Sequence, residues 1–573
     1  MGICMDVESN QLNKRAGRGG RRASLFVYAL AGLENTAFLA NAVSLVTYFY
    51  GDMHFNLTKS ANALTNLMGT TFLLSLVGAF ISDTYLSRFK TTILFGCLEA
   101  VGLALLTVQA HFQQLRPLPC KDAADLLTNH CPQANTTQVT ILYVGLYLMA
   151  FGNGGVKAAL PALGADQFDE KDPREAPKLA SYFNWLLFSI TFGAMFGVTF
   201  LVWISLNQGW DWSFGVCTIA VIVGLLFLSM GRSLYRNNVP QGSPFVRIAQ
   251  VFVAAIRNRS LPLPEMAEEL HEIRNREAGK DVEILNRTDQ FKCLDKAAIV
   301  GGADESTHPW RTCTVTQVEE IKILLRMLPI ILSTVFMNTC LAQLQTFSIQ
   351  QGTTMDRSIR GFEVPSSSIS FIPLFFMTLA IPIYEHIFIP VARKFTGIPT
   401  GIRQLQRVGV GLVLSIISMA IAGVVESRRK SVAVEHNMVD SNAPLPMSVF
   451  WLGIQYAIFG MADMFTLVGL LDFFYAESSS GMKSLGTAIS WSSLAFGYYT
   501  SSVVVDVVNK VSGGWLESNN LNRDKLNYFY WLLAILSTVN FGFYLMCSSW
   551  YKYKKVEMKQ VDADSNGNYE EKV

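Results

Sequence analysis

Twelve long apolar segments, separated by polar stretches, constrain the fold of this chain more than any other feature of its sequence. A helix needs about 20 apolar residues to cross the hydrocarbon core of a bilayer, and the segments have about this length. They lie near residues 24–50, 61–82, 91–112, 139–160, 182–206, 212–231, 327–347, 368–390, 408–426, 447–471, 484–508 and 528–549. We therefore predict an all-α polytopic membrane protein with twelve transmembrane helices.

The composition agrees with a membrane protein and excludes several classes of function. Only 16% of the 573 residues are charged, against about 25% in a typical soluble domain, and 50% are hydrophobic. The 46 basic and 44 acidic residues nearly cancel, which argues against nucleic acid as a partner. The sequence has no G-x-x-x-x-G-K-[ST] phosphate-binding loop, no metal-ligand spacing and no nucleophile motif. We expect neither an ATP-driven pump nor an enzyme, and no metal or other cofactor.

The segments form two sets of six around a long polar stretch. The predicted organisation is an N-terminal tail (1–23), a six-helix bundle (24–231), a central loop (232–326), a second six-helix bundle (327–549) and a C-terminal tail (550–573). An even number of spans, divided six plus six around a cytosolic loop, matches the major facilitator architecture. In that architecture the first, fourth, seventh and tenth helices line a central cavity.

Basic residues predict which side of the membrane each loop faces. Lys and Arg concentrate on the side that holds both termini and the central loop, which the positive-inside rule assigns to the cytosol. The cluster Arg428-Arg429-Lys430 is an exception, because it falls on the other side. The sequons at Asn56 and Asn135 lie in predicted exterior loops, and Cys120 and Cys131 can form a disulfide if their loop faces an oxidising side. We expect the plasma membrane as the location.

Ionisable residues inside the predicted spans are candidates for function, because each costs about 2.5–3.5 kcal/mol to insert. Glu34, Lys157 and Asp463 belong to the first, fourth and tenth spans, so we predict that they lie near the substrate. Lys157 is the only cation well inside a predicted span, and it must pair with a carboxylate or bind an anion. A purely structural ion pair with Glu34 is the alternative. The remaining acidic residues lie nearer helix ends or interfaces; they are Glu99, Glu385 and Asp472.

The junction of the second and third spans carries a charged motif. Gly78-Ala79-Phe80-Ile81-Ser82-Asp83 runs into Tyr85-Leu86-Ser87-Arg88-Phe89-Lys90. This run resembles the loop signature of the major facilitator superfamily, in which an Asp and an Arg form a charge network that responds to conformation. Ser87 stands where that signature usually has Gly. The resemblance implies that Asp83 and Arg88 act in gating and do not contact substrate.

Motifs dispersed over residues 19–553 resemble those of one family. They include Gly164-Ala165-Asp166-Gln167-Phe168-Asp169, Phe183-Asn184-Trp185, Pro309-Trp310-Arg311, Gln350-Gln351-Gly352 and Tyr528-Phe529-Tyr530-Trp531. The chain is similar to the plant nitrate/peptide transporter family, the plant branch of the proton-dependent oligopeptide transporters. The resemblance implies alternating access between two bundles, a substrate at the midplane, and transport driven by the proton gradient without a bound cofactor.

The chain departs from the family pattern at positions that bear on activity. The first-helix proton motif of the family, Glu-x-x-Glu-Arg or Glu-x-x-Glu-Lys, is reduced here to Ala31, Glu34 and Asn35. Lys157 of the fourth helix is kept, whereas Leu341 stands where the nitrate-binding member has a His two residues before Gln343. These departures resemble the subfamily that includes abscisic acid and gibberellin carriers alongside nitrate carriers.

The leading functional hypothesis is a proton-coupled importer of a small anion, either a hormone carboxylate such as abscisic acid or gibberellin, or nitrate. Its expected partners are that anion, protons and the lipid bilayer. Lys157 is the predicted anion or coupling site, and Glu34 or Asp463 the predicted proton acceptor. The predicted cavity lining is Asn35, Phe38, Leu341 and Gln343, with Phe459 and Phe465 as further apolar residues. Two alternatives stay open: an uncoupled facilitator, and a transporter-like sensor or regulator with little flux.

Overall fold

A computed structural model describes fourteen stretches of the chain. They are residues 19–55, 57–118, 132–169, 174–236, 243–264, 270–271, 285–299, 308–359, 362–363, 369–398, 400–440, 443–479, 481–516 and 520–554. Asn56, Cys120 and Cys131 lie outside the described residues, and so does the disulfide considered for the two cysteines.

Twelve long helices in the described residues coincide with the twelve predicted spans. They are α1 (Gly20–Gly51), α2 (Leu57–Thr84), α3 (Arg88–His111), α4 (Thr136–Ala165), α5 (Ala176–Asn207), α6 (Trp210–Met230), α7 (Val315–Thr353), α8 (Phe371–Thr396), α9 (Gln404–Glu435), α10 (Leu452–Glu477), α11 (Lys483–Ser512) and α12 (Leu526–Trp550). One π-helical turn interrupts α5 at Gly197–Leu201, and another interrupts α8 at Tyr384–Phe388.

Eleven of these helices are long and apolar enough to cross a membrane, and α11 is long enough but more polar. The polarity of α11 comes partly from buried serines, among them Ser484, Ser490 and Ser493. α11 packs against α2 and α4 as well as α7. Its polar side chains therefore face protein and not lipid, which is where polar residues of membrane helices are tolerated.

The helices form two bundles of six, α1–α6 and α7–α12. The first has a core that includes Leu103, Leu146 and Phe214, and the second has a core that includes Met327 and Phe473. The bundles meet where α2 contacts α11 and where α5 contacts α8. This arrangement is the two-bundle architecture that the sequence predicts.

α7 begins at Val315, twelve residues before the span predicted from residue 327. The first turns of α7 carry Glu319, Lys322 and Arg326. In the sequence, these charged residues look like part of a polar loop. All three are buried: Lys322 Nζ lies 2.5 Å from Asp295 Oδ1 and 2.7 Å from Glu319 Oε1. Arg326 Nη2 lies 3.2 Å from Glu319 Oε2. Because these charges are paired with each other and with the segment 285–299, they permit a helix where hydropathy alone predicts a loop.

α9 extends to Glu435, nine residues beyond the predicted end at residue 426, and it contains the cluster Arg428-Arg429-Lys430. Arg429 is fully buried and binds Glu426 with both Nε and Nη2, each at 2.7 Å. Lys430 Nζ donates to a backbone carbonyl, and Arg428 pairs with Glu435 at 3.2 Å. Each basic side chain of this cluster thus has a partner nearby. This pairing accounts for a positive cluster on the side of the membrane opposite the other basic residues.

One side of the molecule carries the described chain ends and the linker between the bundles, and we call it the linker side. There the N–H of Gly20 donates to the carbonyl of Gln167 at 2.8 Å. Arg236 binds Glu175 at 2.9 Å, and its hydrogen bonds hold the pKa of Glu175 below the usual value. The linker helix, Pro244–Arg257, lies on this side.

Two small sheets lie on the opposite side of the molecule. Strand β1 (Met355–Asp356) follows α7 and pairs in parallel with β4 (Leu445–Ser448), which precedes α10. Strands β2 (Ser358–Ile359) and β3 (Phe362–Glu363) form an antiparallel pair. β1 and β4 therefore join the ends of two helices that belong to the second bundle.

Candidate functional site

A buried lysine and a buried glutamate meet at the centre of the first bundle. Lys157 of α4 and Glu34 of α1 are 5% and 2% exposed, and Lys157 Nζ lies 3.4 Å from Glu34 Oε1. The same ammonium donates to Asn35 Oδ1 at 3.3 Å, while Asn35 Nδ2 donates to Glu34 Oε2 at 2.6 Å. The structure therefore brings together three of the residues that the sequence assigned to the site.

A second carboxylate, Glu99 of α3, joins this cluster through an amide. Asn153 Nδ2 donates to Glu34 Oε1 and also to Glu99 Oε1, the latter at 3.2 Å. Glu99 Oε2 and Asn153 Oδ1 are buried and have no hydrogen-bond partner among the described residues. Two carboxylates thus belong to a cluster with one ammonium, which binds Glu34 directly, while Glu99 joins through Asn153. Buried charge without a counter-charge is costly, so the cluster is suited to holding a proton.

Two aromatic rings flank the ammonium, and two further rings stack beside them. Lys157 Nζ lies 4.3 Å from the ring centre of Phe38 and 5.3 Å from that of Trp491 in α11. Phe72 of α2 stacks on Trp491 at 5.9 Å and on Tyr498 at 6.3 Å, with 8° between the ring planes in both pairs. Trp491 Nε1 is buried without a hydrogen-bond acceptor in the described structure. We call Phe38, Phe72, Trp491 and Tyr498 the aromatic box.

Asp463, the third predicted charge, lies in α10 of the second bundle and is partly buried. It makes no hydrogen bond or ion pair with another described residue. Its charge acts on Tyr498, whose hydroxyl donates to Gln345 Oε1 at 2.7 Å. Asp463 is therefore near the aromatic box but separate from the Lys157–Glu34 pair.

The other predicted lining residues pack mainly within the second bundle. Leu341 is partly buried against its core, and Gln343 Nε2 donates to the hydroxyl of Ser501 at 2.7 Å. Phe459 is a core residue, and Phe465 packs edge-on against Tyr384 at 5.3 Å between ring centres. Of the four apolar residues singled out in the sequence, Phe38 is the one that the structure brings to Lys157.

The predicted gating pair lies at the linker side and joins the two bundles. Arg88 pairs with Asp166 and lies 3.7 Å from Asp83, and its Nε donates to Ser484 of α11 at 3.0 Å. Asp83 Oδ2 accepts from the N–H of Leu485 at 3.0 Å. Both predicted residues therefore contact the start of α11. Their role in gating stays a prediction.

A second polar link between the bundles was not predicted from the sequence. Asn184 of α5 donates to Glu385 of α8 at 2.5 Å and accepts from Arg407 of α9 at 2.7 Å. Arg407 is 6% exposed and its guanidinium lies 4.4 Å from the ring centre of Tyr384. Asn184 belongs to the Phe183-Asn184-Trp185 motif noted in the sequence. That motif marked the family resemblance but did not show that Asn184 links the two bundles.

Hydrogen bonds between the bundles are confined to the linker side and the middle of the molecule, within the residues that the structure describes. Besides the two links above, Thr487 donates to the carbonyl of Ala158 at 2.7 Å. The link farthest from the linker side joins Thr378 to Thr191, halfway along α5, at 2.9 Å. The described state is therefore closed on the linker side by polar contacts.

Comparisons with known proteins agree with this architecture. A family model described as "PTR2: POT family" matches residues 89–521. The chain is 44% identical to Protein NRT1/PTR FAMILY 4.5 of Arabidopsis thaliana, with 95% of each chain covered. It is 40% identical to Protein NRT1/PTR FAMILY 3.1 of the same plant, over 98% of this chain and 96% of that protein.

Solved structures with a similar fold are transporters. PepTSo, described as a POT family transporter, has a TM-score of 0.61 at 17% identity and covers 93% of this chain and 99% of its own. A peptide transporter POT in complex with sulfate has a TM-score of 0.58 at 11% identity, covering 94% and 97%. At these identities the likeness shows the fold alone, and it confirms the predicted major facilitator fold.

Proposed function

The chain belongs to the POT family of membrane transporters, and we propose that it couples the uptake of a small organic carboxylate to the entry of protons. Transport is the activity of the family, so the chain is not an enzyme. The observation that carries the choice of substrate class is the position of Lys157, a buried ammonium beside Phe38 and Trp491 of the aromatic box.

The chemistry around Lys157 favours an anion with an apolar body. A carboxylate can bind the ammonium, while the rings of Phe72, Trp491 and Tyr498 contact the rest of the molecule. Apolar walls with few polar groups are typical of small-molecule sites. The buried Trp491 Nε1 offers a hydrogen-bond donor that the protein itself leaves unused in its described part. Hormone acids of the abscisic acid or gibberellin type have this chemistry, and nitrate is the second candidate.

Proton coupling follows from competition for one ammonium. In the described state Lys157 binds Glu34. A substrate carboxylate that takes Lys157 leaves Glu34 without its counter-charge, and a proton on Glu34 removes that cost. Asn153 donates to both Glu34 and Glu99, so a proton on either carboxyl group lowers the negative charge of the same cluster. Anion binding and proton binding therefore favour each other, which is the requirement for symport.

Import follows if the linker side is cytosolic, as the basic residues predict. Substrate and proton then enter from the opposite side while Arg88 and Asn184 hold the linker side closed. Release requires these links to open. We propose that the protein lies in the plasma membrane with both termini in the cytosol.

Uptake by oocytes that express the protein tests the substrate class. Abscisic acid, a gibberellin, nitrate and a neutral dipeptide are compared at acidic and neutral external pH. We expect uptake of a hormone acid that is faster at acidic pH. Strong nitrate currents without hormone uptake would contradict the proposal, and a complete absence of flux in liposomes would favour a sensor or regulator.

A further inference from the structure

The linker helix, Pro244–Arg257, has one face buried against the protein and an opposite apolar face that is exposed. Pro244, Val251, Ala254 and Ala255 are buried. The large exposed side chains follow helical spacing and form a stripe, which we call the apolar stripe; they are Phe245, Val246, Phe252, Val253 and Ile256. Ile256 is 65% exposed. An apolar face of this kind is unfavourable in water and requires a partner.

Contacts with the membrane helices place the linker helix at the level of the bilayer surface. Phe245 packs against Phe80 of α2, 5.4 Å between ring centres, and Phe80 lies one turn before the end of α2. On the other face, Arg247 pairs with Glu320 of α7 at 3.4 Å. The helix thus lies across the ends of spanning helices, where an amphipathic helix inserts its apolar face between headgroups and acyl chains.

A cavity of about 450 Å³ lies beside the C-terminal end of this helix. Its lining residues in the described structure are Arg257, His308, Trp310 and Arg311, with no acidic side chain among them. Arg257 lies on the flank of the helix beside Val253, and its guanidinium binds no other described residue. The cavity therefore combines positive charge with an indole of the kind that favours the membrane interface.

Backbone contacts hold the cavity in shape. Asn258, directly after the linker helix, donates from Nδ2 to the carbonyl of Arg311 at 3.3 Å and to that of Lys296 at 3.0 Å. The N–H of Arg311 donates to the carbonyl of His308 at 2.8 Å. The Pro309-Trp310-Arg311 motif is thereby fixed against the end of the linker helix, far from the Lys157 cluster.

We propose that this cavity binds the phosphate-bearing headgroup of an anionic phospholipid from the linker-side leaflet. The basic lining complements the headgroup, and the volume suits a ligand larger than bare phosphate. The adjacent apolar stripe accommodates the acyl chains. A soluble anion has no acyl chains and would leave the stripe uncovered. The site is separate from the proposed transport function and does not depend on it.

Lipid binding to the full-length purified protein tests the proposal. A short-chain fluorescent phosphatidylinositol monophosphate is titrated in neutral detergent and followed by anisotropy. Arg257→Gln should weaken binding about fivefold, since one basic residue near the surface contributes about 1 kcal/mol. Arg259→Gln removes the same charge from an exposed position outside the cavity and should leave binding unchanged. Equal losses of affinity in both variants would show that binding depends on general surface charge, and the proposed site would be wrong.

Two further measurements distinguish the lipid from a soluble anion. Ile256→Asn should weaken binding of the lipid while leaving binding of the free inositol phosphate headgroup unchanged. Inorganic phosphate should compete poorly with the lipid. If it competes as well as the headgroup, or if Ile256→Asn has no effect on lipid binding, the cavity is a site for free anions and the proposal is wrong.

Discussion

Two buried charge clusters in this protein contrast in how completely their polar groups are satisfied. In the second bundle, Glu426 accepts two hydrogen bonds from Arg429 at 2.7 Å and one from Gln351 at 2.6 Å, and Arg429 also binds Asn522 at 2.6 Å. This cluster therefore pairs one acidic side chain, Glu426, with one basic side chain, Arg429. Such a cluster resists change, because every alternative leaves a charge unpaired.

The cluster around Lys157 has the opposite character. The ammonium is 3.4 Å from Glu34, and a second carboxylate, Glu99, shares the same network. Glu99 Oε2, Asn153 Oδ1 and Trp491 Nε1 have no partner among the described residues. Loose pairing, surplus negative charge and unused polar atoms leave room for a proton and a ligand. The contrast teaches that completeness of pairing, more than burial, separates a structural charge cluster from a functional one.

Removing the base of the complete cluster should cause the largest effect on folding. Arg429→Gln leaves Glu426 buried without its counter-charge, and we expect a loss of about 3–5 kcal/mol in unfolding free energy. Arg428→Gln is the matched control, since its side chain is 59% exposed and pairs only at the surface. Thermal unfolding in detergent measures both. If the two variants are equally stable, the proposed difference between the two clusters is wrong.

Weakening the linker-side closure should shift the balance between the closed and open states of the two bundles. Arg88→Gln removes the charge that binds Asp83 and Asp166, and hydrogen bonds to charged groups contribute about 1.5–3 kcal/mol. We expect spin labels at exposed Tyr85 and Lys552 to move apart in the variant, as the open state gains population. Lys90→Gln, an exposed neighbour on α3, should leave the label distance unchanged. An unchanged distance in Arg88→Gln would remove this residue from the gate.

Neutralising one carboxylate should alter pH dependence without abolishing uptake. Glu34→Gln imitates the protonated carboxyl group, so uptake should no longer rise as external pH falls. Glu99→Gln tests which of the two groups holds the proton, because Asn153 connects them. Initial rates across external pH measure the effect. An unaltered pH profile in both variants would exclude the pair and leave Asp463 as the proton acceptor.

The smallest expected effect is a change in substrate preference caused by a substitution in the second bundle. Leu341→His adds a donor on α7 where the chain has an apolar side chain, and we expect nitrate uptake to rise relative to the organic acid. Leu341 is partly buried, so the gain should be modest. The ratio of the two uptake rates is the readout. A fall in the nitrate ratio would indicate that this position does not face the substrate.

The sequence predicted the parts of this structure that depend on local composition. Twelve apolar segments gave the number and order of the helices, and the cost of intramembrane charge pointed to Glu34 and Lys157. The start of α7 at Val315 and the end of α9 at Glu435 were misplaced, because charged residues that look like loop residues are paired in the structure. In α7 the partner lies in the segment 285–299, and in α9 it lies one turn away in the same helix. Hydropathy cannot show such pairing.

Contacts between distant segments account for what the sequence missed at the site. Phe72 and Trp491 are about four hundred positions apart, and only the packing of α2 on α11 makes them stack. Asn153 lies among glycines that indicate close helix contact, yet nothing in the sequence shows that it connects two carboxylates. Phe459 and Phe465 show the reverse case, since belonging to a cavity helix does not decide which way a ring points.

Simultaneous measurement of proton and carboxylate influx into liposomes tests the central claim most directly. The wild-type protein should carry both in a fixed ratio. Lys157→Gln should abolish both fluxes while its thermal stability stays near that of the wild type, because Glu34 can take up a proton when it loses its counter-charge. Coupled uptake that persists in Lys157→Gln, or wild-type carboxylate influx without protons, would contradict the account.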